Sequence, residues 1–440
     1  MPEFPFASGL LGDLVSRESH TPHGERAIAE YIAQLAKRWN LGVVNVHEYP
    51  DDAPFADLDP PPLNVTIDIN SENIAKPGEI LEFGHFDSID PATHYPPEYQ
   101  GDPYQLILDR NDRDIAHGLK SADMAAGIVS MLLAAWQIKE HRSAMRHSVR
   151  ILLVGGEEGQ SHGIYAALDS HNNLAAGARA AISTDIEVGT QIDDVPLICI
   201  GRPGRIGLRL IVKGKGMHVG KACGAHPTEL VAYREAAVKL ALHDITFPQR
   251  EEEHFRALMP KTAAVARDWR PGNPEKRTEV TQQNMSVPGA ATIDIDVVNG
   301  NPALSSADII DIIREGIDRK LREFGITSAN VFEFRGESGR RTPHLKPYLE
   351  HPDHTWVKTV AECMSSTTGV RPMIKAGKGT ADEGAVVHGM GIPTVILPPI
   401  CEGEHTADEC VRISSIERNA RTLAALPFLE GPLTHVEPSA

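Results

Sequence analysis

The chain has 440 residues, which is enough for two or three domains with substantial hydrophobic cores. Its formal charge of −17 at pH 7 argues against a nucleic-acid-binding surface, because phosphate binding needs clustered Lys and Arg. Five cysteines without close pairs argue against a disulfide framework and favour a reducing compartment.

No segment has the pattern of an export signal or a membrane span. Residues 1–13 lack a basic stretch followed by an apolar one, so we expect no signal peptide. The longest mostly apolar stretch, Met124–Trp136, is shorter than the about 20 residues that a membrane helix needs. Its Ala and Gly content instead predicts a helix packed closely against a sheet. We therefore expect a cytoplasmic protein without a membrane partner.

Helices and strands alternate through the first 185 residues. An amphipathic pattern predicts a helix at Pro22–Lys37, and short apolar runs predict strands at Asn64–Asn70 and Glu79–Phe83. Residues Asp90–Lys120 carry Pro, Tyr and Asp without periodicity and predict a long loop. The alternation, which continues up to Asp185, predicts an α/β fold with a mostly parallel sheet and helices on both of its faces.

A second pattern, typical of a small α+β sandwich, begins after Gly204. The predicted order of elements, strand, helix, strand, strand, helix and strand, is that of a ferredoxin-like fold. The charged, proline-bearing segment Phe247–Lys276 has no place in this order. The predicted elements are Ile206–Val212, Thr228–His243, Val280–Val287, Ala291–Val298, a helix from Ser306 that buries Ile309, Ile313, Ile317 and Leu321, and Val331–Arg335.

The α/β pattern returns after Glu350. Helices are predicted at Trp356–Thr368 and Ser414–Leu426, with a strand at Thr394–Pro398 between them. We therefore predict an α/β domain built from both ends of the chain and interrupted by the ferredoxin-like domain. The predicted bounds are 1–205 and 351–440 for the first domain and 206–350 for the second.

Acidic residues and histidines follow the apolar runs of the predicted α/β domain. In an open α/β sheet, residues just beyond the carboxyl ends of the strands converge on one crevice. Two histidines and three or four carboxylates meeting there are typical of a site for one or two divalent metals of the zinc type. These residues are His85, Asp87, Asp123, Glu157, Glu158, Asp185 and His405.

Two pairs among these residues suggest a division of roles. His85 and Asp87 point the same way on an extended segment, so Asp87 can accept a hydrogen bond from the outer ring nitrogen of a metal-binding His85. Of the adjacent Glu157 and Glu158, one can bind metal while the other acts as a general base.

Other positions leave alternatives open. Asp123 could be a helix N-cap as well as a ligand. Either Asp185 or Glu187 could be the ligand after its strand, and we expect Asp185 because it comes first after the apolar run.

The order and context of six strings resemble the M20 metallopeptidases, a family that includes carboxypeptidase G, aminoacylase and peptidase T. The resemblance covers nearly the whole chain. It implies a metal-dependent hydrolase of C–N bonds, in which the inserted domain is a lid and dimerisation domain. The matching strings are Gly84–Asp87, Gly118–Asp123, Glu157–Gly163, Gly214–His218, Asn284–Pro288 and His405–Glu409.

The resemblance implies a role for each matching residue. Glu157 would be the general base, and Asp87 would orient His85. His218 of the lid would reach the site of a neighbouring subunit and stabilise negative charge on the substrate oxygen there. Asp123 would bridge if two ions bind. Zinc, manganese or cobalt could each serve, because the ligands mix imidazole with carboxylate. The implied metal ligands are His85, Asp123, Glu158, Asp185 and His405, and the implied substrate-binding residues are Asn284, Lys378, Gly379 and Thr380.

The chain departs from the family pattern at one position that bears on the substrate. After Ile293–Val297 the family often places an arginine that holds a substrate carboxylate, whereas this chain has Val298 and Asn299. Lys378 could supply a cation in its place.

The resemblance leaves three functions open. The first is hydrolysis of a peptide or an N-acyl amino acid, and the alternative is removal of an amine from an activated aromatic ring, as in nitroanthranilate aminohydrolase. The third is a catalytically silent binding protein, which the intact ligand set argues against. We expect a small-molecule substrate and a homodimer or larger homo-oligomer, formed where an edge strand at Ile206–Val212 pairs with a second copy.

Overall fold

Two units, each with its own sheet, make up the chain in the computed structural model. Their bounds are Met1–Arg202 with Tyr348–Ala440 for the first unit and Pro203–Pro347 for the second. The boundaries predicted from the sequence each lie three residues further along the chain. The structure describes residues 6–70, 78–169, 173–192, 195–250, 252–271, 286–327, 332–334, 342–430 and 433.

Twenty strands lie within these described residues. They are β1 (Val43–Glu48), β2 (Leu63–Ile69), β3 (Ile80–His85), β4 (Ile107–Leu108), β5 (Ile115–His117), β6 (Val149–Val154), β7 (Ala180–Ser183), β8 (Leu197–Cys199), β9 (Gly201–Arg202), β10 (Gly204–Lys213), β11 (Met217–His218), β12 (Ala263–Pro271), β13 (Ser286–Val287), β14 (Ala290–Asn299), β15 (Phe332–Phe334), β16 (Tyr348–Leu349), β17 (Met373–Lys375), β18 (Thr394–Ile396), β19 (Cys401–Glu402) and β20 (Cys410–Arg412).

Thirteen α-helices accompany the strands in the same part of the chain. They are α1 (Ala7–Val15), α2 (Pro22–Arg38), α3 (Pro91–His94), α4 (Gly127–Ile138), α5 (Glu157–Gln160), α6 (His162–Ala167), α7 (Val219–Ala222), α8 (Val231–Asp244), α9 (Glu253–Leu258), α10 (Ser306–Glu323), α11 (Thr355–Thr368), α12 (Glu383–Met390) and α13 (Ile413–Ala425). The helices predicted from amphipathic patterns near the positions of α2, α11 and α13 are confirmed to within one residue at each end.

The first unit is built around an eight-stranded sheet in the order β1-β2-β6-β3-β7-β18-β8-β17. Strands β6, β3, β7 and β18 are neighbours and run parallel, which confirms the predicted parallel sheet for its centre. The sheet as a whole is mixed, because β1, β2 and β8 each make an antiparallel pairing. The predicted long loop at residues 90–120 contains β4 and β5, which join β20 and β19 in a small side sheet.

The apolar helix of the first unit is longer than its sequence indicates. Short turns at Ser121–Ala126 and Lys139–Ala144 adjoin α4 at its two ends, and each is kinked, with non-helical backbone angles at Asp123 and Met124 in the first turn and at His141 in the second. The resulting stretch, Ser121–Ala144, is long and apolar enough to cross a membrane by length and composition. However, 89% of its most apolar window is buried inside the fold, which is typical of a core helix.

The second unit has the predicted ferredoxin-like topology. Its sheet has the order β12-β14-β10-β15 with antiparallel pairings throughout, and α8 and α10 contribute to one hydrophobic core with it. The four apolar residues predicted to face the core from α10 are all buried.

Two predictions for the second unit were wrong in detail. Along the chain, the second strand of this sheet is β12, not the predicted strand Val280–Val287. It lies in the segment Phe247–Lys276, which had no place in the predicted order. Its second half carries Arg267, Asp268, Arg270 and Pro271, so it lacks the apolar alternation of a strand; its position at the sheet edge tolerates charge and proline. Residues 280–285 of the predicted strand lie outside the described residues, and β13 pairs with β11 instead.

The strand proposed for pairing with a second copy is not an edge strand. Residues Leu210–Val212 of β10 pair with β14 on one side and β15 on the other. The polar–apolar alternation of this strand arises because helices cover one face of the sheet, not because its backbone is unpaired. The outer strands of this sheet are β12 and β15.

The close approach of α4 to the end of β7 predicts a cost for adding one methyl group. A Cβ atom at Gly127 would stand 2.3 Å from the carbonyl oxygen of Thr184, the residue before Asp185. We expect Gly127→Ala to lower the free energy of unfolding by about 1–3 kcal/mol, the usual cost of overpacking.

The matched control is Gly9→Ala in α1, where no heavy atom lies within 4 Å of the added Cβ. This substitution should stabilise the helix by about 0.5–1 kcal/mol. Urea unfolding followed by circular dichroism measures both. Equal midpoints for the two variants would show that the contact at Gly127 has no energetic weight.

Candidate active site

Four neighbouring parallel strands bring the predicted site residues to one edge of the large sheet. His85 is the last residue of β3, Glu157 and Glu158 follow β6, and Asp185 follows β7. His405 follows β18 after the short strand β19. Because the strands are adjacent and parallel, their carboxyl ends meet, and so do the side chains that follow them.

Two groups of donor atoms share one carboxylate at this edge. His85, Asp123 and Asp185 form the first group, and Asp123, Glu158 and His405 form the second; the donor atoms of each group lie within 4.8 Å of one another. The Nε2 atom of His85 is 3.1 Å from Oδ1 of Asp123, and the Nε2 atom of His405 is 3.1 Å from Oδ2. Each oxygen of Asp123 therefore faces a different histidine.

The remaining distances complete the two groups. Nε2 of His85 is 3.7 Å from Oδ1 of Asp185, and Nε2 of His405 is 3.1 Å from Oε2 of Glu158. His85 is 2% exposed in its side chain, whereas His405 is half-exposed. The second group is thus the one open to solvent in the first unit.

Asp87 lies behind the two groups and joins two of the strand ends. Its Oδ1 atom is 3.3 Å from Nδ1 of His85, the ring nitrogen that faces away from Asp123. Its two carboxylate oxygens also accept hydrogen bonds of 3.1 Å from the backbone N–H groups of Glu157 and Glu158. The carboxylate therefore fixes the ring of His85 and the turn that carries both glutamates.

That turn depends on a glycine. Gly156 has φ +70°, in the left-handed region, and a Cβ atom there would stand 1.8 Å from Nε2 of His162. The pair Gly155-Gly156 before Glu157 is thus the sequence feature that allows β6 to end sharply and place Glu157 and Glu158 beside the donor atoms.

Burial and mutual contact set the protonation of the cluster. Burial raises the pKa of Glu158 to about 7, with the charge of Asp123 adding to the effect. Burial opposes protonation of His405, but its hydrogen bonds to Asp123 and Glu158 outweigh burial and raise its pKa to about 11. Burial would likewise raise the pKa of Asp123, yet hydrogen bonds from His405 and His85 hold it below its ordinary value.

Glu157 lines a cleft together with Asp123, Glu158, Asp185 and His405. Burial raises the pKa of Glu157 well above the ordinary value, and the nearby Asp382 and Glu158 add to the shift while His85 opposes it. A carboxylate in such surroundings binds a proton readily, which is the property that a general base requires.

The cleft has a volume of about 270 Å³. Gly379 and Thr380, predicted from the sequence as substrate-binding residues, line it. Lys378 is exposed, and its backbone N–H donates a 2.7 Å hydrogen bond to Oε1 of Glu187. The lining residues are Asp123, Glu157, Glu158, Asp185, Ile186, Val188, Arg202, Gly379, Thr380, Ala381, Glu404 and His405.

Sequence reasoning missed Arg202, which lines the cleft and is almost fully buried. Its guanidinium lies 3.3 Å from Oδ2 of Asp185, 3.5 Å from Oε2 of Glu187 and 3.1 Å from Oε2 of Glu383. Arg202 contacts both acids that could follow β7 as ligands, but Asp185 also lies 3.7 Å from Nε2 of His85 and belongs to its donor group, whereas Glu187 belongs to neither group, so the geometry favours Asp185 as the ligand. The available signal was an arginine directly after the buried run Leu197–Gly201.

Two predicted site residues belong to the second unit. Asn284 lies outside the described residues. His218 ends β11 and is exposed, and its Nδ1 atom accepts a 3.1 Å hydrogen bond from the backbone N–H of Gly220. Since Nδ1 is the acceptor, the neutral ring carries its proton on Nε2 and can donate from that atom.

A fold of two units and a site of imidazole and carboxylate donors define a class of metallohydrolases. Residues 84–428 match the sequence profile of the peptidase family M20/M25/M40. The chain therefore belongs to this family, as the resemblance of its motifs predicted, and it is a hydrolase of C–N bonds.

Known relatives agree with this assignment over most of their length. A succinyl-diaminopimelate desuccinylase of Nitrosococcus oceani is 22% identical over 344 residues, which cover 78% of this chain and 81% of the relative. The structure of the dipeptidase Dug1p from Saccharomyces cerevisiae aligns with a TM-score of 0.69 at 13% identity, covering 96% of this chain and 95% of that one. The YXEP protein of Bacillus subtilis, a dinuclear metal-binding peptidase, aligns with a TM-score of 0.58 at 13% identity and covers 97% and 98%.

The shared carboxylate predicts how many ions each variant binds. We expect wild-type protein to bind two divalent ions per chain, Asp185→Ala to retain one, and Asp123→Ala to retain neither at stoichiometric metal. Both groups depend on Asp123, whereas Asp185 belongs to one of them. Elemental analysis after dialysis against zinc measures the stoichiometry.

His94→Ala is the control, since its ring lies 6.1 Å from the ring of His405 but supplies no donor atom to either group. It should bind two ions. An Asp123→Ala variant that still binds two ions would contradict the shared-ligand arrangement.

Proposed function

We propose that this protein hydrolyses the amide bond of a small peptide or an N-acyl amino acid, using metal-activated water and Glu157 as the general base. The observation that carries the proposal is the sharing of Asp123 by two donor groups, with Glu157 on the wall of the same cleft.

The donor set fits two transition-metal ions. Two imidazole nitrogens and three carboxylates suit zinc, manganese or cobalt, whereas calcium prefers six to eight oxygen ligands. A divalent cation would also take the place of the protons that the buried acids and histidines otherwise hold, because ligation requires deprotonated groups. When bound, such ions polarise a carbonyl group and make water acidic near neutral pH.

Glu157 would move the proton during the reaction. Its carboxylate would take a proton from the attacking water and return it to the leaving nitrogen of the amide. Asp87 supports this role because it fixes the backbone of Glu157 through a hydrogen bond of 3.1 Å. Asp87 holds the backbone of Glu158 through a second hydrogen bond of 3.1 Å, so the positions of Glu157, the proposed base, and Glu158, the proposed ligand, are fixed relative to each other.

His218 is the proposed donor to the substrate oxygen. The resemblance to M20 enzymes supports this role, and the proton on Nε2 makes the neutral ring a suitable donor. We also propose that the second unit is a lid through which the protein forms a homodimer, with the outer strands β12 and β15 as candidates for the contact.

The substrate class rests on the charges of the cleft. Among the described residues that line it, Arg202 is the one arginine or lysine, and three carboxylates already surround it. A substrate carboxylate would therefore need a cation from elsewhere, for which Lys378 is the proposed source. The free thiols of all five cysteines favour a cytoplasmic location.

Glu157→Gln should lower kcat by about 10²–10⁴-fold, because the amide keeps the shape of the side chain and removes the base. Metal stoichiometry should remain that of the wild type. The assay is product analysis on a panel of dipeptides, acyl amino acids and aromatic amines with added zinc, manganese or cobalt.

Glu350→Gln is the matched control for the loss of a partly buried carboxylate, since Glu350 accepts a backbone hydrogen bond from Thr394 and does not line the cleft. It should keep wild-type turnover. Turnover of Glu157→Gln equal to that of this control would exclude Glu157 as the base, and ammonia release from an aromatic amine alone would favour the ring-hydrolysis alternative.

His218→Ala separates the two reaction types. In amide hydrolysis, loss of a donor to the oxyanion typically lowers kcat by about 10²–10³-fold. In ring chemistry, the negative charge spreads away from the attacked carbon, so the variant should mainly raise KM. Steady-state kinetics on the active substrate distinguish these outcomes.

His226→Ala provides the control, because His226 is also exposed in the second unit and its Nδ1 atom also accepts a backbone hydrogen bond at the start of a short turn. Its kinetic constants should stay near those of the wild type. If His218→Ala behaves in the same way, His218 has no part in the reaction.

A further inference from the structure

A buried glutamate outside the two donor groups holds the loop that carries Asp123. Glu409 is 2% exposed, and both of its carboxylate oxygens accept backbone hydrogen bonds. Its Oε2 atom accepts from the N–H of Lys120 at 2.8 Å, and its Oε1 atom accepts from the N–H groups of Ala122 at 2.8 Å and Asp123 at 3.0 Å. Three N–H groups from one short loop thus converge on one carboxylate.

The backbone of the two loops is joined as well. The N–H of Gly118 donates to the carbonyl oxygen of Glu409 at 3.2 Å, and the N–H of Glu409 donates to the carbonyl oxygen of Thr406 at 3.3 Å. Glu409 therefore connects the loop that carries Asp123, the shared carboxylate, to the loop that carries His405, one of the two histidines that this carboxylate faces.

Both loops contain a residue in an unfavourable backbone conformation. Lys120 has φ +54° and His405 has φ +60°, which place two non-glycine residues in the left-handed region. Such conformations are unfavourable for residues other than glycine and persist when the surrounding contacts determine them. The side chain of Lys120 is buried and its ammonium group donates to Oγ of Ser19 at 2.7 Å, so the loop is held from both sides.

We infer that Glu409 is a positioning residue for the metal centre: it fixes the loop of Asp123 so that the two carboxylate oxygens face His85 and His405. The inference rests on the proposed two-metal function. Without Glu409, three buried N–H groups would lose their acceptor, and because buried unsatisfied groups are destabilising, the loop would rearrange to reach water. Asp123 would then no longer present both oxygens at the observed distances.

Two variants remove the hydrogen bonds between Glu409 and the loop of Asp123 to different extents. Glu409→Ala removes both acceptors. Glu409→Gln keeps one carbonyl oxygen for part of the loop, while its NH₂ group cannot accept the remaining N–H. We expect Glu409→Ala to weaken zinc binding by about 10–100-fold, the usual effect of losing a group that orients metal ligands, and Glu409→Gln to fall between it and the wild type.

Glu350→Ala is the matched control. Glu350 is partly buried, and its Oε1 atom also accepts a backbone hydrogen bond, 3.2 Å long, from the N–H of Thr394. Thr394 begins β18, which runs parallel to β7, so this contact lies at the end of the sheet opposite to Asp185. Loss of this carboxylate should change stability without changing zinc affinity.

The experiment is zinc titration of each full-length variant against a chromophoric chelator, with circular dichroism to follow folding. The expected order of affinity is wild type and Glu350→Ala together, then Glu409→Gln, then Glu409→Ala, with turnover of the last variant recovering at high zinc concentration. Wild-type affinity for Glu409→Ala, or an equal loss for Glu350→Ala, would overturn this inference alone. A wild-type protein that binds no zinc, manganese or cobalt would overturn the proposed function and this inference with it.

Discussion

The carboxylate of Asp123 has to satisfy two histidines at the same time, at 3.1 Å on each side. His85 comes from the end of a buried strand, and His405 comes from a loop 320 positions later in the chain, so the carboxylate fixes the relative positions of two distant segments. A carboxylate shared in this way tolerates little displacement, because a shift toward one histidine lengthens the contact with the other. The surrounding structure can be understood as support for this one side chain.

Three charged residues provide that support through different contacts. Asp87 holds the ring of His85 and the turn of Glu157 and Glu158, Glu409 holds the backbone of Asp123, and Arg202 lies against Asp185. Each is buried, and a buried charge is stable only with partners that replace water. The two acids, Asp87 and Glu409, accept hydrogen bonds from backbone N–H groups, and Arg202 pairs with carboxylates. Each of the three buried charges therefore has polar partners within the protein.

The sequence predicted the parts of this arrangement that depend on local pattern. His85, Glu157, Glu158 and Asp185 could be located because each follows an apolar run, and the carboxyl ends of parallel strands meet whatever the details of the fold. Three strands and both long helices of the second unit, β10, β14, β15, α8 and α10, were predictable for the same reason, since each lies in a segment with a regular apolar pattern.

The supporting contacts could not be predicted, because their partners are far apart in the chain. Glu409 lies 286–289 residues along the chain from the three residues whose N–H groups donate hydrogen bonds to it. A sequence pattern gives no information about such a pairing. Arg202 is similar, since its partner Glu383 begins a helix in the other segment of the first unit. The strand β12 was missed for a different reason: a sheet edge accepts charged residues and proline, so the apolar alternation that identifies inner strands is absent there.

The engagement of Arg202 also bears on how the protein could select a substrate. An arginine on the wall of a cleft would ordinarily attract a carboxylate, but here Asp185, Glu187 and Glu383 surround the guanidinium and it is 2% exposed. The charge of Arg202 is therefore neutralised by acids of the protein itself. If the guanidinium moved to bind a substrate carboxylate instead, a buried acid would lose its partner. Selection by charge would then fall to groups outside this buried cluster, such as the proposed Lys378. The lining of the cleft also includes the apolar Ile186, Val188 and Ala381, which offer contacts for uncharged parts of a substrate.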